Sequence, residues 1–168
     1  MFHVKRKLLL RALIGLMAIV VWATSCIGSR PATQITDYLL LPNGIESAKN
    51  ASVTAFVFEN SSKGISIERY LNEKFNTKDY SDREFNILIK GDTFQLILYD
   101  NAEFEKYFAT SNLVVVNLEP IPNNSGRKFI AISVTDINGA DALAANSLFS
   151  NIVTGFLKDL KDDFHQYD

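Results

Sequence analysis

Two neighbouring segments, in each of which every second residue is apolar and one face is more polar than the other, constrain this chain most strongly. They are Glu84–Lys90 (EFNILIK) and Thr93–Tyr99 (TFQLILY), and Gly91-Asp92 lies between them. Successive side chains of a strand point to opposite faces, so alternation places the apolar residues of each segment on one face. Two alternating runs separated by a short glycine-containing turn predict an antiparallel hairpin.

Three other segments predict strands. In Ser52–Glu59 both alternating sets are largely apolar, which indicates a strand covered on both faces. Asn112–Leu118 and Lys128–Thr135 are predicted to form a second antiparallel pair. The short apolar run Asp37–Leu41 is followed by Pro42-Asn43-Gly44, which is typical of a turn.

Helical spacing of apolar residues appears three times. Ser66–Phe75 is predicted to be a helix, and Ala102–Phe108 one or two helical turns. Residues 148–164 carry an unbroken apolar stripe at spacings of three and four, and this helix could extend back to a capping Asp141. We therefore expect one α+β domain over residues 37–168: two layers, with a mainly antiparallel sheet of about five strands covered by two amphipathic helices.

The first 26 residues have the organisation of an export signal. Four basic residues lie in the first eleven positions, and the uncharged apolar run Ala12–Trp22 follows. The run is shorter than the ~20 residues that a membrane-spanning helix needs. Small residues then precede Cys26, the only cysteine of the chain, which excludes an internal disulfide.

Ala23-Thr24-Ser25-Cys26 resembles the lipobox of bacterial lipoproteins. The resemblance implies cleavage between Ser25 and Cys26, a diacylglycerol on the Cys26 sulfur and acylation of the new amine with a fatty acid such as palmitate. Residues 1–25 would then be the signal peptide and 26–36 the lipidated cysteine and a tether. Because no aspartate follows Cys26, the resemblance favours the periplasmic face of the outer membrane. A plain secretory cleavage near Ser25 and an uncleaved membrane helix remain alternatives.

The charge balance excludes one class of partner. Removing the first 25 residues takes away four of the 17 basic side chains and none of the 19 acidic ones, which leaves a net charge of −6. Binding to nucleic acid needs a basic face that neutralises phosphates, so no nucleic-acid partner is expected. The expected partners are the lipid bilayer, through acylated Cys26, and an unidentified protein of the cell envelope.

The histidines and the acidic loop after the last predicted strand carry little catalytic potential. His3 lies in the leader and His165 near the chain end, where we expect a solvated tail, so no catalytic triad and no histidine metal site is predicted. Asp136, Asn138 and Asp141 offer the oxygen ligands that calcium prefers, but their spacing departs from that of an EF-hand. A strand-to-helix turn is the preferred interpretation of this loop, and no metal or cofactor is predicted.

Three hypotheses of function follow. The first is a non-enzymatic lipoprotein whose domain binds or scaffolds a partner, with no catalytic residues. The second is a cell-envelope hydrolase that uses the clustered carboxylates of Asp100, Glu103 and Glu105. The third is a ligand-capturing module with an apolar cleft lined by some of the 12 phenylalanines and 6 tyrosines.

Overall fold

The structure, a computed structural model, describes residues 32–45, 52–61, 64–77, 82–115 and 127–167. All of them belong to one compact unit, Ala32–Asp168. The predicted signal peptide, its predicted cleavage after Ser25 and the predicted lipidation of Cys26 lie outside the described residues. Within the described ranges, no helix has the length and apolar character needed to cross a membrane.

Seven strands and three helices make up the described part of the domain. The strands are β1 (Thr33–Gln34), β2 (Leu39–Ile45), β3 (Ser52–Glu59), β4 (Glu84–Ile89), β5 (Asp92–Tyr99), β6 (Leu113–Val114) and β7 (Phe129–Asp136). The helices are α1 (Ile67–Phe75), α2 (Asn101–Tyr107) and α3 (Ser150–Gln166). Five strands form an antiparallel sheet in the order β2-β3-β7-β5-β4, which confirms the predicted α+β class.

The predicted hairpin is confirmed as β4 and β5, with its turn one residue earlier than expected. Ile89 pairs with Asp92, so the two turn residues are Lys90 and Gly91. Their φ angles are 51° and 99°, the left-handed conformation that a two-residue hairpin turn requires. Glycine adopts this conformation without steric cost, which explains Gly91.

The predicted pairing of Asn112–Leu118 with Lys128–Thr135 is wrong. β7 lies in the middle of the sheet, with β3 along Phe129–Ser133 on one side and β5 along Ala131–Asp136 on the other, so other strands occupy both sides. Leu113–Val114 instead pairs in parallel with Thr33–Gln34. Residues 33–34, which were expected in the tether, therefore belong to the folded domain.

The predicted turn at Pro42-Asn43-Gly44 is also wrong, because β2 continues through it to Ile45. The strand accommodates these residues by a shift of its register on β3 between Leu41 and Gly44. β2 lies at the edge of the sheet and Pro42 falls within the register shift, without a partner on β3; edges and bulges are the places where sheets tolerate proline. Gly44 also has a packing role, since a Cβ atom there would lie 2.2 Å from ring carbons of Phe108.

One face of the sheet is covered by α1 and α3, as expected. α1 begins after Ser66, whose hydroxyl accepts the backbone N–H of Arg69 at 3.3 Å. The core on this face consists of strand and helix residues that are nearly inaccessible to solvent, among them Phe56, Phe58, Phe85, Leu96, Ile132, Leu71, Leu157 and Phe164. Complete burial of each such side chain contributes about 1.5–3 kcal/mol to folding.

The opposite face has a second, smaller core. It contains residues of β3, β5 and β7 together with residues of α2 and the β1 segment: Ile35, Val53, Ala55, Val57, Ile97, Tyr99, Phe104, Phe108 and Ala131. Ser52–Glu59 is thus buried on both sides, as its two apolar sets predicted.

The last helix begins at Ser150, so the predicted extension to Asp141 and the capping role of Asp141 are wrong. The Asp141 carboxylate instead accepts the backbone N–H groups of Thr54, at 2.8 Å, and Leu143, at 2.9 Å. Asp141 also forms a bridge with Thr135, beyond the last β3–β7 pair at Ala55 and Ser133. The Asp141 carboxylate therefore accepts the N–H of Thr54 at a position of β3 that does not pair with β7.

Candidate binding cleft between helices α1 and α3

A cleft of about 430 Å³ opens between α1 and the C-terminal end of α3. Residues three and four positions apart on a helix lie on the same face, and this spacing brings the lining residues together. The lining consists of Tyr70, Glu73 and Lys74 from α1 and of Asp163, Gln166 and Tyr167 from the end of the chain. No local sequence pattern indicates this set of residues, because nothing within either helix relates it to the other.

Two tyrosine rings form one wall of the cleft. The ring of buried Tyr70 meets that of Tyr167 edge to face, with the ring centroids 5.2 Å apart. The Tyr167 hydroxyl donates to the Glu73 carboxylate at 2.8 Å. Burial raises the pKa of Tyr70, and the hydrogen bond to Glu73 raises the pKa of Tyr167. Both phenols therefore keep their protons at neutral pH.

Lys74 connects the two helices across the cleft. Its Nζ donates to the Asp163 carboxylate at 2.7 Å and to the Tyr70 hydroxyl at 3.0 Å. Burial acts to lower the pKa of Lys74, but these two bonds outweigh it and the pKa is raised. Hydrogen bonds from Arg69 and then Tyr167 lower the pKa of Glu73. These pKa shifts move away from neutrality, which suits hydrogen bonding and aromatic contact better than proton transfer.

The carboxylates of the hydrolase hypothesis lie elsewhere and are engaged in helix capping. Asp100 caps α2 by accepting the Glu103 N–H at 2.8 Å, and Glu103 accepts the Asp100 N–H at 3.1 Å. Arg83 forms ion pairs with both, at 2.5 and 3.1 Å. The backbone bond from Glu103, aided by Arg83, lowers the pKa of Asp100, whereas a general acid needs a raised one.

Glu105 lies away from this pair. It borders a smaller depression of about 270 Å³, on the side of the sheet that carries α2. The other residues around this depression are Asn101, Phe104, Thr110, Leu113, Lys128 and Phe129. The structure therefore does not gather Asp100, Glu103 and Glu105 into one cavity.

The two carboxylates of the calcium hypothesis face backbone amides, and the Asn138 side-chain amide donates to Asp136 at 3.4 Å. Asp136 accepts the N–H groups of Asn138 and Ala140, both at 2.8 Å, and the bond from Ala140 is the main cause of its lowered pKa. Asp141 is directed at Thr54 and Leu143, as described above. Gly139, with φ of 78°, closes the turn. Among the described residues, no group of three or more His, Cys, Asp or Glu is placed to hold a metal ion.

The prediction that His165 is a solvated tail residue is wrong. The last turn of α3 packs the imidazole against the core, with its ring centroid 5.6 Å from that of Phe58 and 5.8 Å from that of Phe164. Burial lowers the pKa of His165, in spite of a hydrogen bond with the backbone of Glu59. Sequence analysis missed this position because the apolar stripe ends at Phe164.

We expect His165 to make the stability of the domain depend on pH. Its pKa is lower in the folded chain than in the unfolded chain, so the unfolded chain binds more protons and acid favours unfolding. Above about pH 6.5, the ordinary histidine pKa, His165 is neutral in both states and does not lower the free energy of unfolding. Below that pH, the free energy of unfolding falls by at most about 1.4 kcal/mol per pH unit. Urea denaturation at a series of pH values measures this slope.

The matched variant is His165→Gln, which keeps a polar side chain that does not titrate. It should remove the slope between about pH 6.5 and 5, above the range in which carboxylates titrate. An unchanged slope in His165→Gln would show that another group is responsible.

Comparison of the chain with protein-family models, with curated proteins and with solved structures finds no match. The observations define the chain as an α+β domain that follows, in the sequence, a basic and then apolar segment and the single cysteine, Cys26.

Proposed function

We propose that the chain is a bacterial lipoprotein, acylated at Cys26 and held at the periplasmic face of the outer membrane, whose domain binds a partner protein without catalysis. The observation that carries the proposal is the order of the leader: basic residues, the apolar run Ala12–Trp22, and Ala23-Thr24-Ser25 directly before the lone Cys26. Two or more acyl chains hold a protein stably on a bilayer, at ~0.8 kcal/mol per buried methylene group.

The beginning of the domain is well suited to attachment through its N-terminal side. Asp37 forms an ion pair with Lys161 of α3, a residue that is only 8% exposed. Lys158 Nζ lies 5.2 Å from the centre of the neighbouring Tyr38 ring, a cation–π contact. These contacts fasten the segment that follows the proposed tether to the last helix of the fold.

The cleft between α1 and α3 supports the proposed binding role. Tyr167 is 46% exposed and presents an aromatic edge beside the polar groups of Glu73, Lys74 and Asp163. Tyrosine combines a large contact area with a polar end and few rotatable bonds, which favours its use in protein contacts. The partner proposed for this cleft is a protein of the cell envelope.

Replacement of Cys26 by alanine tests the membrane anchor. The wild-type chain should sediment with membranes, with the mass of residues 26–168 plus acyl chains, whereas Cys26→Ala should lose the acyl mass. Mass spectrometry of both chains, purified from whole cells, measures the acyl mass, and fractionation of the cells measures the sedimentation with membranes. Ser29→Ala, outside the lipobox, is the control and should behave as wild type. An unmodified Cys26 sulfur or a retained Met1 in the wild-type chain would contradict the proposal.

Replacement of Tyr167 by alanine tests the cleft. We expect crosslinking in intact cells, followed by protein identification, to yield a partner with the wild-type chain and several-fold less of it with Tyr167→Ala. Leu148→Ala is the matched control, since Leu148 is 95% exposed and lies outside the cleft. Equal capture by Tyr167→Ala and the wild-type chain would contradict a role for the cleft.

Loss of a hydrolytic activity in Asp100→Asn would instead favour the hydrolase hypothesis.

A further inference from the structure

The two edges of the five-stranded sheet differ in a way that bears on association. β2 forms one edge, and there Pro42 lacks an N–H group and the strand register shifts. Such interruptions protect an edge from pairing with another chain. β4 forms the other edge and pairs with β5 without a register shift over its whole length. No described strand pairs with the outer side of β4.

The direction of the backbone groups of β4 follows from one hydrogen bond. The N–H of Leu98 donates to the carbonyl of Arg83 at 2.8 Å, so Arg83 faces β5. In an antiparallel ladder the residues facing a given neighbour alternate. Glu84, Asn86 and Leu88 therefore direct their backbone N–H and C=O groups away from β5, toward the open edge.

The side chains of β4 divide in the same alternating way. Phe85, Ile87 and Ile89 are between 1% and 5% exposed and belong to the core under the helices. The side chains of the other set are exposed on the opposite face, and that of Leu88 is 69% exposed. An open, regular strand with an exposed leucine is a surface that tends to pair with another strand.

We propose that β4 is a contact between two copies of this chain, paired antiparallel about a two-fold axis at Ile87. This register brings Glu84 of each copy to the end of β4 in the other, beside Lys90 of its hairpin turn, so opposite charges meet at both ends of the contact. Asn86 lies opposite Leu88, and these two residues exchange backbone hydrogen bonds through the groups that face outward. The two exposed Leu88 side chains become diagonal neighbours and shield one another from water.

The charges favour a two-fold axis at Ile87 over one at Asn86. A two-fold axis at Asn86 would place Glu84 opposite Leu88 and leave the carboxylate beside an apolar side chain. With the axis at Ile87, Phe85 lies opposite Ile89, so the apolar layer beneath the helices continues from one copy into the other. The segment from Glu84 to Lys90 is therefore self-complementary in charge at its ends and in hydrophobicity on both faces.

Crosslinking of the full-length chain in the cells that produce it tests the contact. Asn86→Cys places a thiol on the exposed face of β4, and a short membrane-permeant bis-maleimide joins thiols that lie close together. The expected yield of covalent dimer is several-fold higher than that of Ala109→Cys, an exposed control position outside β4. The parent chain, with Cys26 alone, measures the background.

Charge reversal then tests the register. In the Asn86→Cys chain, Glu84→Lys should reduce the dimer to the yield of the Ala109→Cys control, because like charges then face each other. Adding Lys90→Glu should restore the dimer, and Asp159→Lys, an equal change of charge on α3, should leave the yield unaltered. A yield from Asn86→Cys no higher than the control, no loss with Glu84→Lys, or no recovery in the double variant would each overturn the proposal.

Discussion

Replacing Glu68 with alanine should lower the free energy of unfolding by about 3–5 kcal/mol. Glu68 Oε1 lies 2.7 Å from Nη2 of Arg127, whose side chain is only 7% exposed. Loss of the carboxylate leaves a guanidinium charge without its counter-ion in a site that water reaches poorly, and this uncompensated charge is the source of the cost. Urea denaturation followed by circular dichroism measures the change.

Glu73→Ala is the matched control, on the same helix. Glu73 pairs with Arg69 at 2.8 Å, but the Arg69 side chain is 66% exposed, so its loss should change stability far less. The double variant Glu68→Ala/Arg127→Met should recover much of the stability, because it removes the buried charge together with its partner. A cost of Glu68→Ala no larger than that of Glu73→Ala would contradict this account of the pair.

Replacing Gly44 with alanine is expected to destabilise the domain by about 1–3 kcal/mol, through overpacking. The new Cβ atom would lie 2.2 Å from two ring carbons of Phe108. That ring is held by its neighbours, with centroid distances of 5.3 Å to Tyr99 and 5.7 Å to Phe104. It cannot move aside without disturbing the second core. The denaturation midpoint in urea measures the loss.

Gly155→Ala provides the same chemical change without the clash. Gly155 lies in α3, and apart from its chain neighbours and the adjacent backbone of its own helix no atom lies within 4 Å of a Cβ built there. Alanine should stabilise this helix by about 0.5–1 kcal/mol, because glycine loses more backbone freedom on folding. The two substitutions should therefore have opposite signs. A Gly44→Ala variant as stable as the wild type would show that Phe108 does not require the glycine.

The candidate cleft could not be predicted from the sequence, although its members are ordinary helix residues. Glu73 and Tyr167 share a hydrogen bond but lie 94 positions apart. The spacing of Tyr70, Glu73 and Lys74 places them on one face of α1, but no local pattern indicates that the end of α3 lies opposite. The role of Asp141 could not be predicted either, because its carboxylate accepts the N–H of Thr54, which lies 87 positions earlier in the chain. Such contacts depend on which elements pack together.

Local signals were sufficient for β3, the β4–β5 hairpin, α1 and α2, since alternation, helical spacing, the Ser66 cap and Gly91 act within a few residues of the backbone. These local signals do not determine which strands pair with each other. The order of the elements in the chain predicts that β6 pairs with β7, yet β3 and β5 occupy the two sides of β7. β2 passes through a Pro-Asn-Gly segment only because it lies at an edge and because Phe108 fills the space above Gly44. Backbone preference is a property of neighbouring residues, whereas free edges and occupied volume exist only once the whole chain has folded.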